Sequence, residues 1–185
     1  MLKQSFKIVE GRLQDCPADE GQVLVYVKPD EAEQRLLIDR LKVDEHTLAS
    51  SLDPDELARL EFEPEHAVAI FKRPRYYTAA DQFHFKVLSV GAFLFKERLI
   101  VTLSEDMAIF DGAKTFTRMQ SPQDVFLRMI YRSIYHFLEH LRIIHTHRDP
   151  ARDRRGIRED VFLDRADGER HGAPVERRNG EPLLV

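Results

Sequence analysis

The chain has 185 residues, of which 43% are hydrophobic and 32% are charged, and its formal net charge is −4. This composition is typical of a globular domain, and the slight acidity gives no electrostatic argument for binding nucleic acid or an anionic membrane. Cys16 is the only cysteine, which excludes an intramolecular disulfide and suits a reducing cytosol. The N-terminus lacks the apolar segment of a secretory signal, and no stretch of about 20 mostly apolar residues could span a membrane. On sequence we expect a soluble, cytoplasmic chain.

The first elements in chain order are two strands and a helix. Residues 6–9 and 23–27 predict strands because they are short, rich in β-branched and aromatic residues, and bounded by Gly and Pro. Residues 30–41 predict a helix with Asp30 as its N-cap. This helix is expected to carry three leucines on one face: Leu36, Leu37 and Leu41.

A second, shorter helix is predicted to follow. Asp44 is its expected N-cap, Leu48 and Leu52 its buried side chains, and Pro54 its end. Residues 61–72 then carry the next apolar run, which is typical of β structure.

The middle of the chain predicts an antiparallel meander. Pro64 divides the preceding apolar run into two strands, and residues 73–82 are expected to form a polar loop. Residues 83–103 alternate well and predict strands that turn near Gly91 and again at residues 96–97.

A long amphipathic helix is predicted over residues 121–145. Ser121 is a hydroxyl N-cap, Pro122 suits the first helical position, and Asp124 lies in the first turn. Apolar residues recur at helical spacing: Val125, Phe126, Met129, Ile130, Ile134, Phe137, Leu138 and Leu141. Part of this apolar stripe is expected to remain exposed, which predicts self-association or a partner.

The character of the sequence changes after this helix. Residues 146–185 contain nine Arg, nine acidic residues and no Lys, with four glycines and little apolar periodicity. Such a segment buries too little apolar surface to offset the entropy of ordering, so we expect a disordered tail.

One string within the long helix has the form of a metal site. His136, Glu139 and His140 form an H-x-x-E-H pattern that could hold zinc, with Glu139 as general base. Alternatively, these are simply the polar residues on the outer side of an amphipathic helix. We favour this alternative, because the third ligand that such a zinc site needs has no evident source.

A second cluster is acidic: Asp53, Asp55, Glu56, Glu61, Glu63 and Glu65. Carboxylates suit hard cations such as Mg²⁺, but a solvated loop has the same composition. Nucleophile-elbow, phosphate-loop and dinucleotide-binding motifs do not occur in the sequence, and we assign no catalytic residue.

Several stretches between residues 20 and 145 together resemble CorA-type divalent-cation transporters. A strand leads into a helix over residues 25–41 and then into a short helix over residues 43–52, as at the start of the family's cytoplasmic domain. Other stretches resemble the turn into the next family strand, two further strands and the helix that leads to the long stalk: residues 52–61, 67–72, 98–103 and 121–144.

The resemblance implies an α/β/α cytoplasmic domain that is pentameric in the intact transporter, surrounds a funnel and helps to sense the cation. In this family, Mg²⁺ bound between neighbouring cytoplasmic domains holds the pore closed. The Gly-Met-Asn pore signature and the paired membrane helices do not occur in these 185 residues, so this chain alone would not conduct ions. Where some members carry a regulatory acidic pair, this sequence has Ala49 and Ser50. The candidate metal ligands are therefore the nearby Asp53 and Asp55.

From the sequence we predict an α/β/α sandwich with a mixed, largely antiparallel sheet and a long C-terminal amphipathic helix. Residues 1–145 would form a CorA-like cytoplasmic domain and residues 146–185 a tail. The leading hypothesis is a regulatory, cation-sensing domain, or a truncated form, of a divalent metal-ion (magnesium or cobalt) transporter.

This hypothesis involves no enzymatic activity and no certain cofactor, with Mg²⁺ as a candidate regulatory ion. The expected partners are further copies of the chain or a missing membrane portion, with no nucleic acid and no direct membrane insertion. The alternatives are a free-standing cytosolic interaction or scaffold protein of the same fold and, more remotely, a zinc-dependent hydrolase built on the H-x-x-E-H helix.

Overall fold

In the computed structural model, which describes residues 1–75, 86–111 and 114–148, seven strands and three helices follow one another along the chain. They are β1 (Leu2–Val9), β2 (Arg12–Asp15), β3 (Val23–Val27), α1 (Glu31–Asp39), α2 (Glu45–Leu52), β4 (Arg59–Phe62), β5 (His66–Pro74), β6 (Val87–Phe95), β7 (Leu99–Leu103) and α3 (Pro122–Arg148).

The strands form a single mixed sheet in the order β2-β1-β3-β7-β6-β5-β4. The central pair β3 and β7 is parallel, and every other neighbouring pair in this sheet is antiparallel. The prediction of a mixed, largely antiparallel sheet is therefore confirmed.

The first hairpin contains a strand that the sequence pattern did not reveal. Glu10 and Gly11 both have positive φ, 49° and 77°, as a two-residue hairpin turn with the twist of its strands requires. This turn allows the end of β1 to pair with the short, polar β2. The start of β1 pairs with β3 instead, so β1 begins at Leu2, four residues earlier than predicted. The carbonyl of Gly11 also accepts a hydrogen bond from the amide of Met119 at 3.0 Å, which ties the hairpin to the approach to α3.

Helices α1 and α2 cover one face of the sheet. Asp30 and Glu33 form a reciprocal capping box, with hydrogen bonds of 2.9 and 3.1 Å, and Asp44 caps α2 through the amide of Thr47 at 2.7 Å. The core on this side consists of Leu24, Tyr26, Leu37, Val43, Leu48, Val68, Ile70, Phe93 and Ile100. Both predicted caps are confirmed, but Leu36 is exposed, because α1 directs only Leu37 fully into the core.

Helix α3 covers the opposite face. Val125, Phe126 and Met129 from its first turns pack against β-strand residues such as Val25 and Val101. Apolar side chains thus alternate between the two faces of each central strand, and the sheet is enclosed between two helical layers. The α/β/α sandwich with a long C-terminal helix is as predicted.

Strand β6 runs through Gly91 without turning, so the turn predicted there is wrong. Gly91 instead marks a close approach of helix α2 to the sheet: a Cβ at this position would lie 2.4 Å from Thr102 Oγ1 and 2.5 Å from Ser51 Cβ. The predicted turn between β6 and β7 is confirmed, and it is closed by a 2.8 Å bond from the amide of Phe95 to the carbonyl of Arg98.

The polar loop predicted over residues 73–82 is wrong at its beginning. Arg73 and Pro74 are the last two residues of β5 and pair with Leu88 and Val87 of β6. Residues 76–82 of that loop, the strand start at residues 83–85 and most of the tail, residues 149–185, lie outside the described residues. Helix α3 extends three residues beyond His145.

Candidate functional site

A buried cluster of charged and imidazole side chains lies between the second half of α3 and the sheet. We call it the α3 polar cluster, and it consists of Arg73, Asp111, Arg132, His136, Glu139 and His140. Arg73 lies on the α3 face of the sheet, because it follows Ala69 and Phe71 at alternate positions of β5. Its side chain is only 1% exposed.

Asp111 connects β5 to α3 within this cluster. Arg73 donates through Nη1 to the carbonyl of Ile109 at 2.7 Å and through Nη2 to Asp111 Oδ1. Arg132 donates to the other carboxylate oxygen of Asp111 from Nε and Nη2, at 3.2 and 2.9 Å. One carboxylate thus accepts hydrogen bonds from two buried guanidinium groups. This pairing offsets the free-energy cost of removing the charged side chains from water.

Glu139 supplies the second negative charge. Arg132 Nη1 donates to Glu139 Oε2 at 3.2 Å, about two turns further along α3. The two arginines are therefore balanced by two carboxylates. The contact of Arg132 with Asp111 fixes the rotation of the helix about its axis, because Asp111 lies outside α3.

His136 and His140 complete the inward-facing side of α3. They are 1% and 5% exposed, and their rings meet edge to face with centroids 4.6 Å apart. Burial lowers the pKa of both, and the charges of His140 and Arg73 help to bring the pKa of His136 down to about 4. Both imidazoles are thus neutral at pH 7.

The orientation of α3 reverses one sequence-based expectation. We had favoured the hypothesis that the residues of the H-x-x-E-H string lie on the outer side of the helix, and this is wrong for both histidines. From Arg132 onward the polar side of α3 faces the sheet. Large apolar side chains along the whole helix face outward: Leu127, Tyr131, Ile134, Tyr135, Leu138, Leu141 and Ile144. The ion pairs with Asp111 explain this reversal, because they hold Arg132 against the sheet.

The geometry gives the zinc interpretation little support. Glu139, its expected general base, is paired with Arg132, and two guanidinium groups lie in the same cluster. Within residues 1–75, 86–111 and 114–148, no group of three His, Cys, Asp or Glu side chains is arranged so that it could hold a metal ion.

The candidate magnesium ligands lie elsewhere, at the end of α2. Asp53 is the C-cap residue of α2, and its Oδ1 accepts a 2.8 Å hydrogen bond from the amide of Asp55. Both side chains are exposed, so they are accessible to a hydrated cation. At the position of the family's acidic pair, Ser50 is buried, and its hydroxyl helps to lower the pKa of Glu56 through a hydrogen bond.

His66 is a buried histidine that sequence reasoning missed. Its ring stacks on Phe95 with centroids 4.6 Å apart, and neither ring nitrogen has a hydrogen-bond partner among the described residues. Burial lowers its pKa, while the nearby carboxylates of Glu63 and Asp44 oppose that change.

The α3 polar cluster was also missed by sequence reasoning. The only signal in the sequence that could have indicated it is the core-facing position of Arg73 in an apolar strand.

Comparisons with known proteins bear on the fold. No family model and no curated protein matches the sequence. Among solved structures, the chain is similar to the soluble domain of CorA from Methanocaldococcus jannaschii, with a TM-score of 0.56 and 14% identity over 78% of this chain and 60% of that one.

Two further structures are similar to the chain. The complete CorA magnesium transporter from the same organism gives a TM-score of 0.55 at 13% identity, with 77% of this chain and 46% of that chain covered. The full-length CmaX protein gives a TM-score of 0.53 at 12% identity, with 71% of this chain and 45% of that chain covered.

The fold of this chain is CorA-like. At these identities the similarity extends to the fold alone, and the chain spans 60% of the soluble domain and less than half of the two longer proteins. None of the helices in the described part of the chain has the length and apolarity needed to cross a membrane.

Proposed function

We propose that this chain is the cytoplasmic, regulatory part of a CorA-like divalent metal-ion transporter. The observation that carries the proposal is the similarity of its three-layer fold to the soluble domain of CorA, over 78% of the chain. A domain of this kind senses the cation and assembles with further copies of itself. It conducts nothing by itself and performs no bond-making or bond-breaking chemistry.

Within this proposal, Mg²⁺ is the regulatory ion, and Asp53 and Asp55 are candidate ligands. Both carboxylates are exposed on the turn that follows α2, where a neighbouring copy could complete the oxygen shell that Mg²⁺ requires. The pentameric assembly and the cytoplasmic location follow from the same proposal.

Thermal melting in the presence of Mg²⁺ tests the sensing role. We expect a saturable rise in Tm of about 2–4 °C with Mg²⁺. Potassium sulfate at matched ionic strength should not reproduce it. The rise should vanish in the Asp53→Ala/Asp55→Ala variant and persist in Asp15→Ala/Asp19→Ala, which removes two exposed carboxylates at the other edge of the sheet. The absence of any shift in the wild type would contradict cation sensing, whereas a shift retained in the first variant would exclude only these two ligands.

A chimaera tests the transport role directly. Residues 1–145 would replace the matching part of the soluble domain in the CorA from M. jannaschii. We expect Mg²⁺ uptake that still declines when internal Mg²⁺ is high. The control is the same chimaera with Asp53→Ala/Asp55→Ala, which should assemble normally but lose the response to internal Mg²⁺, because both carboxylates are exposed. For the chimaera without these substitutions, normal assembly without any control by internal Mg²⁺ would argue against a regulatory role.

A second candidate function is a free-standing interaction protein of the same fold, and the exposed apolar side of α3 favours it. It predicts that Mg²⁺ has no effect on stability. Metal analysis addresses the more remote hydrolase: stoichiometric zinc that is lost on His136→Ala would favour that interpretation over both others.

A further inference from the structure

A cleft lies on the face of the sheet that α3 covers, at the edge formed by β1 and β2. One wall is the β1–β2 hairpin, and the other consists of residues 108–111 and 114–117 from the connection between β7 and α3. We call it the hairpin cleft. Its volume is about 620 Å³, and pockets that bind small molecules usually measure about 300–1,000 Å³. The hairpin cleft therefore has room for a small organic ligand.

The lining of the hairpin cleft is aromatic at its base. Phe110 meets Phe6 edge to face with ring centroids 5.2 Å apart, and it meets Phe116 in the same way at 5.3 Å. Phe6 and Phe116 are 9% and 7% exposed and belong to the core beneath α3, so they hold the half-buried Phe110 in place. Such rings offer an apolar surface on which a flat aromatic group packs well.

The rim of the hairpin cleft is cationic. Arg12 of β2 and Lys114 line the cleft with exposed side chains, and neither forms an ion pair within the described part of the chain. The acidic residue of the lining is Asp111, whose two carboxylate oxygens already accept hydrogen bonds from Arg73 and Arg132. Positive charge therefore exceeds negative charge around the cleft, which attracts anions and repels divalent cations.

Hydrogen bonds to the fold fix both walls of the hairpin cleft. The amide of Met119 donates to the carbonyl of Gly11 in the hairpin turn at 3.0 Å, and Arg73 of the sheet donates to the carbonyl of Ile109 at 2.7 Å. Each wall is thus tied to a neighbouring element before any ligand binds. A pre-formed pocket of this kind loses little conformational entropy on binding.

We propose that the hairpin cleft binds a small organic anion. An aromatic or other apolar body packs on the phenylalanine rings, and its phosphate, sulfonate or carboxylate group accepts hydrogen bonds from Arg12 and Lys114. Hydrogen bonds between charged partners are stronger than those between neutral groups, so the two cations favour the anion over a neutral molecule of the same shape. The proposal goes beyond the transporter function and does not depend on it, because neither Asp53 nor Asp55 lines this cleft.

Titration of the full chain with 1-naphthyl phosphate, followed by ligand-observed NMR, tests the binding. We expect saturation with a Kd below about 1 mM. 1-Naphthol has the same ring system without the charged group, and it should bind at least about 10-fold more weakly. The proposal is overturned if 1-naphthyl phosphate shows no saturable binding up to about 5 mM, or if the two compounds bind equally well.

Variants locate the site. Arg12→Glu/Lys114→Glu reverses both rim charges at exposed positions and should raise the Kd for 1-naphthyl phosphate at least about 10-fold. Arg35→Glu/Arg40→Glu is the matched control, because it makes the same change in net charge at exposed positions of α1 and its C-cap, on the other face of the sheet, and should leave the Kd unchanged.

A third variant tests the space rather than the charge. Ala108→Trp adds bulk to the lining at an exposed position and should abolish binding of 1-naphthyl phosphate. Far-ultraviolet circular dichroism checks that each variant folds. Binding that survives either the charge reversal or Ala108→Trp would place the ligand elsewhere on the chain, for example on the exposed apolar side of α3, and would overturn the proposal.

Discussion

Arg73 of β5 and Arg132 of α3 share the single carboxylate of Asp111. The two guanidinium groups come from elements 59 residues apart in the chain, and both are almost completely buried. This shared carboxylate joins the second half of α3 to the sheet, where apolar packing of the helix has ended. The polar side of α3 faces inward for this reason.

Removal of the Asp111 carboxylate, which Arg73 and Arg132 share, should lower the stability of the folded chain. We expect Asp111→Ala to lower the free energy of unfolding by about 3–5 kcal/mol, because it leaves two buried cations with one fewer counter-charge. Urea denaturation measures the change. Glu20→Ala is the control, because it removes a carboxylate whose partner, Lys7, is half exposed, and it should cost at most about 0.5 kcal/mol. A loss below about 1 kcal/mol for Asp111→Ala would argue against the ion pairs as the attachment of α3.

Stability should also fall as the pH falls, because His136 is buried in its neutral form. Its pKa is about 4 in the folded chain, compared with 6.5 when unfolded, so the unfolded state binds the proton first. The neutral His136 therefore makes its full contribution to the free energy of unfolding above pH 6.5, and this contribution is lost as the pH falls toward 4. It amounts to about 3 kcal/mol for a difference of this size. His140 acts in the same direction.

A comparison of variants isolates this effect. Carboxylates with lowered pKa values, such as Asp44 and Glu105, also cost stability in acid. His136→Gln leaves them unchanged, so the difference in unfolding free energy between wild type and variant should change across the window from pH 6.5 to 4. A constant difference across that window would show that folding does not lower the pKa of His136.

The cap of α1 offers a smaller, local test. Asp30 accepts a hydrogen bond from the amide of Glu33 at 2.9 Å, and Glu33 returns one to the amide of Asp30. We expect Asp30→Ala to destabilise the chain by about 1 kcal/mol, and Asp30→Asn to have almost no effect because its side-chain oxygen still caps the helix. Thermal melting of the three proteins would contradict this if Asn were as harmful as Ala.

The features that could be predicted from sequence are those decided by near neighbours. The strand Val23–Val27 is a continuous run of β-branched, aliphatic and aromatic residues. Asp30 and Asp44 precede helical stretches, and Ser121 caps α3 through the amide of Asp124. Each signal lies within a few residues of its effect, so a pattern along the chain is sufficient.

The orientation of α3 could not be predicted in this way. Apolar residues occur on both sides of the helix, with Phe126 and Met129 on one and Leu127 and Ile134 on the other. Which side faces the sheet is decided by Asp111, which is distant in sequence from Arg73. The buried Arg73 was taken for the start of a loop because charge at the end of a strand usually indicates solvent.

Gly91 was interpreted as a turn, although its role is to make room between two layers. Ser51 of α2 donates a hydrogen bond to the carbonyl of Leu48 at 2.7 Å, and its oxygen lies 2.8 Å from Thr102 Oγ1, directly above Gly91. A methyl group at position 91 would lie 2.4 Å from Thr102 Oγ1, 2.5 Å from Ser51 Cβ and 2.8 Å from Ser51 Oγ. Overpacking of this kind costs about 1–3 kcal/mol, and we expect that loss for Gly91→Ala.

A double-mutant cycle can attribute that loss to the contact with α2. Ser51→Gly alone should cost about 2 kcal/mol, through the helix propensity of glycine and the loss of the buried hydrogen bond between Ser51 and Thr102. Combined with Gly91→Ala, it removes one of the two side chains that the new methyl group meets, so the double variant should be more stable than the sum of the single losses predicts. Chemical denaturation of the four proteins measures the coupling. Strictly additive losses would mean that α2 shifts away freely, and that its close approach to the sheet contributes little to the stability of this layer.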